Sequence, residues 1–352
     1  MNDIDLTFVT DILKDVKTEC RDIDWYAVIG FLGLHKIAGM FYMKAKSLSY
    51  IFPNKIEKIL LGTFTRQKRR AEFFRSETEK ISKCLIAEKI EHIFLKGSVL
   101  CSLNETNRIY SDGERISNDI DILVKPNGLS AICKSLRELG FIQGKYDDKK
   151  GVIVPFSRME ILKRQMNRGE TAPFVKLTNN PEIPFLEVDV NFSLGNEPAE
   201  YSDLISEMIR SRKLYSGKIS LYGANEELFF LHLIMHQFKE SRLYFMVERS
   251  KDIDLYKLAD MYFLWIKDSF DKKRFKEYVE KYKLGNEVGT VLGQIARVFE
   301  DKQLLKTAKE FGELPAEVYD YATKATYRWN ADEKTRLCFF DARKFLREVE
   351  LC

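Results

Sequence analysis

The chain has 352 residues, 45% of them hydrophobic and 31% charged, and its formal net charge is +4. This length exceeds one ordinary compact core and predicts two or three domains, and the apolar content excludes a small fold that depends on disulfides or metals for stability. The small positive charge neither requires nor excludes nucleic acid as a partner.

The cysteines and the N-terminal segment bear on the compartment. The six cysteines lie far apart without a Cys-x-x-Cys pair, so we expect neither a disulfide framework nor a zinc cluster. Residues 1–17 carry acids where a signal peptide would carry basic residues, and no later segment approaches the roughly 18 uncharged apolar residues of a membrane span. We therefore expect a reduced, cytoplasmic protein that does not associate with membranes.

The N-terminal part of the chain has the helix period. Apolar residues recur at intervals of three and four over residues 6–88, which predicts a helical region over residues 1–88 that ends in a long helix over residues 66–88. A basic cluster at residues 66–70 lies in this helix. A solvated basic face is favoured there over a phosphate-binding patch.

From His92 the pattern changes to short runs bounded by Gly, Asn, Asp and Pro, which is typical of strands. A three-turn helix, stopped by Gly140, is predicted between the second and third runs. These features predict a mixed α/β core over residues 89–197, followed by a helical domain over residues 198–352, so the fold class is α+β with a small mixed sheet between helical regions. The six strand-like runs are HIFLK, DIDILV, FIQ, GVIVPF, FVKLT and FLEVDVNFSL.

A Gly-Ser pair follows the first strand-like run. In HIFLKGSVLCSL the extended run ends at Lys96, Gly97 allows a tight turn, and Ser98 begins a short helix. A strand, turn and helix in this order direct backbone N–H groups and the positive end of a helix to one point, which suits a phosphate. Taken alone, such a pair is more often an ordinary turn.

Two carboxylates alternate with apolar residues in DIDILV. The strand period of two places Asp119 and Asp121 on one face, about 6 to 7 Å apart, and Ile120 and Ile122 on the other. Such a pair forms half of a site for a hard cation, because Mg²⁺ prefers a few carboxylate oxygens together with substrate phosphates. The alternative is a solvent-facing edge whose apolar residues point inward.

The run FLEVDVN offers a third acid with the same alternation. Glu187, Asp189 and Asn191 share one face, and the preceding Asn-Asn-Pro-Glu turn signal predicts that this strand is the second arm of a hairpin. Asp189 is the preferred third acid because it lies in the middle of the strand. Glu187 is the alternative.

Gly97-Ser98, Asp119-x-Asp121 and a third acid resemble the signature of the DNA polymerase β type nucleotidyltransferase superfamily. The chain is similar in particular to a bacterial branch described as uncharacterised nucleotidyltransferases, in LKGSVL, in SNDIDILV, in Arg115 four residues before the first acid, and in its helical flanks. The resemblance covers about residues 20–270. Asn191 departs from it, because the branch commonly has His at that position.

The resemblance implies transfer of a nucleoside monophosphate from an NTP to an acceptor, with release of pyrophosphate. It implies Mg²⁺ in a two-metal site, in which Asp119 and Asp121 hold the metal that bridges the triphosphate. Asp189 would help to hold a second metal near the acceptor oxygen and accept the proton of that oxygen.

The same resemblance implies a phosphate-binding side. Gly97 and Ser98 would bind triphosphate oxygens, and Lys96 or Arg115 would neutralise developing charge. In the alternatives, Lys96 caps the strand and Arg115 pairs with a nearby acid, Asp112 or Glu114.

For several other residues that could take part in chemistry, a structural role is at least as well supported by the sequence as a functional one. His232 and His236 have a zinc-compatible spacing but no evident third ligand, so positions in the core or on a helix face are favoured. Asp260 lies on an apolar helix face, where a buried cap or salt bridge competes with a place in a cleft. Aromatic residues near these positions can stack a base, although packing between helices is the default; they are Phe229, Phe230, Tyr244 and Phe245.

The leading hypothesis is an Mg²⁺-dependent nucleotidyltransferase that acts on a small molecule or a protein. The alternative from another class is a non-catalytic module that senses nucleotide or binds a partner and retains the fold, but the intact acids weigh against it. Addition of nucleotides to RNA is a third possibility, and it requires a continuous basic surface that the net charge does not promise. The acceptor, the base and the oligomeric state are not encoded in any pattern we recognise.

Overall fold

The structure is a computed structural model that describes residues 3–18, 22–102, 109–195, 200–338 and 341–349. Contacts divide the chain into two compact units, one made of Met1–Thr63 and Phe230–Cys352 and the other of Phe64–Phe229. None of the helices in the described ranges combines the length and apolar character that a membrane span requires.

Helices account for most of the regular structure. The α-helices of the described ranges are α1 (Asp3–Leu13), α2 (Trp25–Leu34), α3 (Ala38–Ser47), α4 (Asn54–Ala87), α5 (Lys96–Leu100), α6 (Leu129–Glu138), α7 (Arg158–Arg168), α8 (Ser202–Arg210), α9 (Glu226–Ser241), α10 (Tyr244–Glu248), α11 (Leu255–Trp265), α12 (Lys272–Tyr282), α13 (Gly285–Phe299), α14 (Lys302–Phe311) and α15 (Glu333–Cys338). Two short 3₁₀ segments cover Pro126–Gly128 and Ala342–Phe345.

The strands form two sheets, one in each unit. They are β1 (His92–Phe94), β2 (Asp119–Val124), β3 (Ile142–Asp147), β4 (Val152–Pro155), β5 (Phe174–Asn180), β6 (Ile183–Asn191), β7 (Lys213–Ser216), β8 (Ser220–Gly223), β9 (Glu317–Tyr319), β10 (Thr326–Trp329) and β11 (Leu346–Glu348).

The unit formed by the two ends of the chain is mainly helical. Phe8 of α1 is fully buried, and its ring contacts Trp25 and Phe41 edge-on at centroid distances of 5.9 and 5.8 Å. Such edge-to-face pairs stabilise an aromatic core beyond the burial of their area. A small antiparallel sheet in the order β11-β10-β9 completes this unit, and the helix period of this region did not predict it.

The other unit is built on an eight-stranded mixed sheet in the order β4-β3-β5-β6-β2-β1-β8-β7. β2 pairs with β6, and β1 with β8, in parallel, and the other neighbours are antiparallel. The predicted α+β class is confirmed, as are the six predicted strands and the β5–β6 hairpin. The β7–β8 hairpin adds two strands that were not predicted.

Two predicted helices lie in or extend into this unit. α6 spans the predicted segment, and Gly140 follows it at a φ of 86°, the left-handed conformation that ends helices at little cost for glycine. α4 begins at Asn54, directly after Pro53 and twelve residues before the predicted start at Arg66. Proline is tolerated at a helix start because the first N–H groups have no partner in the helix.

Candidate functional site

Four carboxylates occupy adjacent positions on one face of the large sheet. In the parallel pairing of β2 with β6, Asp119 lies opposite Glu187 and Asp121 lies opposite Asp189. We call these four residues the acidic face. Because β2 and β6 alternate in the same sense, the opposite face receives apolar side chains, and these are fully buried: Ile120, Ile122, Val188 and Val190.

Three members of the acidic face converge. Asp119, Asp121 and Asp189 each offer a carboxylate oxygen, and these oxygens lie within 4.8 Å of one another. In the described part of the chain, no other set of three His, Cys, Asp or Glu side chains has ligand atoms this close together. Asp189 therefore completes the group, and Glu187, the alternative third acid, lies beside Asp119 outside it.

Crowding of negative charge changes the titration of two of these acids. Burial raises the pKa of Asp189 well above its usual range, and the charges of Asp121, Asp119 and Glu187 raise it further, against the attraction of Lys96. Burial and then Asp119 raise the pKa of Glu187 as well, while Arg164 lowers it. The acidic face thus holds more negative charge than its neighbours neutralise.

The positions of Asp119, Asp121 and Asp189 suit the binding of a divalent metal ion. Oxygen ligands at this spacing suit a hard cation such as Mg²⁺, which takes a few carboxylates and completes its coordination with water and phosphate. Burial and then repulsion from neighbouring acids raise the pKa of Asp189, and a bound cation would relieve that repulsion.

The turn after β1 places Lys96 beside the acidic face. Lys96 Nζ lies 2.8 Å from Asp121 Oδ1, and the side chain of Asp121 is only 3% exposed. The backbone reinforces this approach, because the Leu95 N–H donates to the carbonyl oxygen of Asp121 at 3.0 Å. Lys96 therefore pairs with a carboxylate of the three-acid group formed by Asp119, Asp121 and Asp189, as well as ending the strand.

Glycine at position 97 serves a different purpose from the predicted one. The residue with positive φ in this turn is Lys96, at 48°, and not Gly97. A Cβ on Gly97 would lie 2.7 Å from the Cβ of Ser117, closer than real Cβ atoms approach. Gly97 therefore permits the α5 backbone to pack against Ser117, whose hydroxyl donates to the carbonyl oxygen of Asp119 at 3.0 Å.

Ser98 is the third residue of α5 and is 1% exposed. Its hydroxyl has no hydrogen-bond partner in the described part of the chain. A buried polar group without a partner is uncommon in native proteins and calls for an explanation such as a ligand or water.

Comparison with known protein families connects this geometry to a chemistry. Residues 21–300 match the family described as uncharacterised nucleotidyltransferase, a span that includes the whole acidic face and the Lys96 turn. The chain belongs to this family. No curated protein and no solved structure matches the sequence.

Arg115, the other cationic residue predicted for the site, is buried, at 7% exposure. Its guanidinium donates to the carbonyl oxygen of Ile116. Asp112, one of the acids considered as its partner, receives two hydrogen bonds from Arg75 at 2.6 and 3.2 Å and pairs with Lys218 at 2.5 Å. These contacts join the segment before β2 to α4 and to the β7–β8 hairpin.

The basic cluster of α4 is more than the solvated face that the helix period favoured. Arg69 pairs with Glu182, and Arg70 donates to the carbonyl oxygen of Glu182 and, at 3.5 Å, to Asn118 Oδ1. Glu182 lies in the β5–β6 turn and Asn118 directly precedes Asp119. Arg70 thus bridges the starts of the two strands that carry the acids, a role that sequence spacing gave no means to predict.

The remaining candidate residues from the sequence lie in ion pairs or in packing contacts within the fold. His236 pairs with Glu240 at 3.2 Å, and the rings of His232 and His236 are 6.3 Å apart without a third ligand residue close enough to form a metal group in the described ranges. Phe230 packs against Trp265, Phe270 and Phe275. Among the other candidates, Phe229 and Asp260 are buried and Phe245 is 40% exposed. The ring of Tyr244 lies 5.0 Å from that of Tyr327 in a tilted arrangement.

Proposed function

We propose that the protein transfers a nucleoside monophosphate from an NTP to a hydroxyl of a small molecule or a protein and releases pyrophosphate. The observation that carries this proposal is the convergence of Asp119, Asp121 and Asp189 within 4.8 Å in a chain that belongs to a nucleotidyltransferase family. We further propose that the family belongs to the polymerase β-like superfamily, as the Gly-Ser and Asp-x-Asp motifs indicate, and that the chain belongs to its bacterial branch.

Asp119 and Asp121 would hold the metal that binds the triphosphate, and Asp189 would contribute to a second metal position on the acceptor side. When bound, Mg²⁺ would neutralise phosphate charge and lower the pKa of the acceptor hydroxyl. The core residues behind β2 and β6 hold the carboxylates at fixed separations, so little reorganisation is required when ligands arrive.

In the transfer step, the acceptor oxygen forms a bond to the α-phosphorus. The bond from the α-phosphorus to the oxygen that bridges it to the β-phosphorus breaks, and its electron pair leaves with pyrophosphate. Asp189 accepts the proton of the acceptor hydroxyl, a role that suits a carboxylate whose pKa is raised by burial and by neighbouring acids.

The β1–α5 turn would bind the triphosphate. The backbone at Gly97 would contact a phosphate oxygen, and another phosphate oxygen would give the hydroxyl of Ser98 the partner it otherwise lacks among the described residues. Lys96 and Arg115 are proposed as the cationic groups on this side.

We propose the transferase core at residues 89–197, which lie within the unit Phe64–Phe229, with a helical region over residues 1–88 and a helical domain over residues 198–352. The proposed setting is the cytoplasm, and the partners are an NTP and the acceptor, with neither nucleic acid nor a membrane required.

The test is to incubate the protein with each of the four labelled NTPs, Mg²⁺ and a cell lysate, and to follow both label and pyrophosphate. Label on a protein or on a small molecule, abolished by EDTA and by the double variant Asp119→Asn/Asp121→Asn, is the expected result. Absence of label and of pyrophosphate with all four NTPs would contradict transfer and favour the nucleotide-binding module.

A further inference from the structure

Lys96 has an unusual position for a lysine in this chain. Its φ of 48° is in the left-handed region, which costs energy for a residue with a side chain. Other lysines with positive φ, such as Lys89 and Lys283, follow helices, where this conformation is common. Lys96 instead begins a helix directly after a strand, and its conformation directs the ammonium group toward the acidic face.

The ammonium group of Lys96 and a bound metal would compete for the same carboxylate, that of Asp121. Asp121 Oδ1, which accepts from Lys96 at 2.8 Å, belongs to a carboxylate of the three-acid group, and Lys96 also attracts the charge of Asp189. A divalent cation held by these carboxylates would repel an ammonium group at such a distance. The ion pair is also shielded from water on one side, because Asp121 is 3% exposed and Lys96 is 26% exposed.

We propose that Lys96 couples metal binding to triphosphate binding, as the counter-ion of Asp121 when metal is absent and as a ligand of phosphate oxygens when metal is present. This inference rests on the proposed function and assigns a regulatory property to the same site. The triphosphate brought by the metal offers an anionic partner to the ammonium group that the metal displaces from Asp121. The metal alone therefore binds weakly, and metal with triphosphate binds tightly.

Two probes test the coupling without any acceptor or base. The first is Mn²⁺ alone, with its free concentration measured by electron paramagnetic resonance. The second is inorganic triphosphate in excess Mg²⁺, with binding measured by the shift in melting temperature. Both are measured for the wild type, Lys96→Met and Lys96→Asn, the last because Asn tolerates the left-handed conformation and so decides the test if the Met variant folds poorly.

The matched control is Lys125→Met. Lys125 lies in the same unit, and its ion pair with Glu91 has partners 32% and 55% exposed. This variant removes the same formal charge away from the acidic face, so its Mn²⁺ affinity should stay within about twofold of the wild type, as expected for exposed ion pairs in physiological salt.

We expect both Lys96 variants to bind Mn²⁺ alone about three- to tenfold more tightly than the wild type, and to bind Mg²⁺-triphosphate at least about tenfold more weakly. Wild-type or weaker Mn²⁺ affinity in the Lys96 variants would overturn the coupling, while Mn²⁺ binding by the wild type would leave the proposed metal site standing. If no variant and no wild-type protein bound Mn²⁺ or Mg²⁺-triphosphate, the proposed function would fail together with the coupling.

Discussion

The acidic face of the large sheet and the charged cluster on α9 and α11, which we call the helical cluster, each contain a carboxylate whose pKa is shifted, but the pKa of Asp189 is raised and that of Glu240 is lowered. In the helical cluster, Glu240 Oε2 lies 2.6 Å from Lys257 Nζ and 3.2 Å from His236 Nδ1. Burial opposes ionisation of Glu240, but His236 and Lys257 outweigh burial and hold the pKa of Glu240 far below its usual range. On the acidic face, burial and like charges raise the pKa of Asp189.

The difference lies in how much of the charge the chain itself neutralises. The helical cluster contains its own cation, Lys257, which pairs with Glu240 and, at 3.1 Å, with Asp254. The ionised form of Glu240 is therefore stable in the folded protein. On the acidic face, which has four acids, Arg164 lowers the pKa of Glu187 and Lys96 lowers that of Asp189, but burial and the neighbouring acids outweigh both. Buried charges that satisfy one another serve the fold, whereas an excess of one sign in a site predicts a ligand of the other sign.

The largest expected effect is on the rate of Asp189→Asn. The variant keeps Asp119, Asp121 and the Lys96 turn, so it should still bind Mg²⁺-NTP. Loss of the proposed proton acceptor should lower the rate of pyrophosphate release by about 10² to 10⁴. The measurement is a side-by-side assay of NTP affinity and pyrophosphate release for both proteins, with lysate as the source of acceptor.

Glu187→Gln is the matched control for that rate. It changes an acid on the same strand and face, outside the three-acid group, and should retain most of the activity. Equal pyrophosphate release by the wild type and Asp189→Asn would remove Asp189 from the mechanism and make Glu187 the next acid to test.

In the helical cluster the expected effect is on stability. Glu240→Gln removes the closer of the two carboxylates paired with Lys257 and leaves Asp254 as its remaining acidic partner, so the free energy of unfolding should fall by about 2 kcal/mol, as is typical when a hydrogen bond between charged groups is lost. Glu310→Gln is the exposed control, because its pair with Lys276 has partners about half exposed, and it should change stability by less than about 0.5 kcal/mol.

The contribution of Glu240 to stability should depend on pH in a defined direction. The folded-state pKa of Glu240 is lowered, so its contribution is fully present above the unfolded-state value near 4.3 and declines as the pH falls toward the folded-state value. The stability difference between the wild type and Glu240→Gln should therefore shrink in denaturant titrations below about pH 4. A constant difference down to pH 3 would contradict an ionic role for Glu240.

The sequence predicted the acidic face because strands have a period of two. DIDILV and FLEVDVN each place their acids on one face from local alternation alone, and both patterns are realised in β2 and β6. The register that sets Asp121 opposite Asp189 depends on parallel pairing between segments nearly seventy residues apart, which local patterns do not encode. Convergence of the three carboxylates was thus a hypothesis that only the tertiary structure could examine.

Local sequence patterns fail where contacts between distant residues determine the structure. Gly97 was interpreted through backbone freedom, but its small size toward Ser117, twenty residues later, explains it better. The helix period favours a solvated face for Arg70. It cannot reveal the contacts of Arg70 to Asn118 and Glu182, because those residues are 48 and 112 positions away in the sequence. β7 and β8 lie in KLYSGKISLYG, whose alternation around Ser-Gly-Lys was a usable hairpin signal.

A smaller expected effect tests the packing that supports the acidic face. Gly97→Ala should lower stability by about 1 to 3 kcal/mol, since the added Cβ would collide with Ser117. Ser117→Gly removes the colliding atoms, so the double variant should be more stable than the sum of the single effects predicts. Thermal or denaturant unfolding of the four proteins gives the coupling energy, and strict additivity would mean that the two residues do not contact each other.

The smallest expected effect, and the one that separates the two clusters most directly, is on the metal-free stability of Asp119→Asn. Removal of one of several crowded negative charges relieves repulsion, so the variant without metal should be as stable as the wild type or more stable by less than about 1 kcal/mol. Asp121→Asn should not share this gain, because it also breaks the ion pair with Lys96.

Divalent metal with NTP should raise the melting temperature of the wild type through binding to the folded state, and Asp119→Asn should lose most of that shift. The comparison with Glu240→Gln then has opposite signs for the same kind of substitution. An acid retained for the fold loses stability when neutralised, whereas an acid retained for a ligand loses only the response to that ligand. Clear destabilisation of metal-free Asp119→Asn would place the acidic face with the helical cluster, as a structural feature, and would remove the main physical reason to expect a metal there.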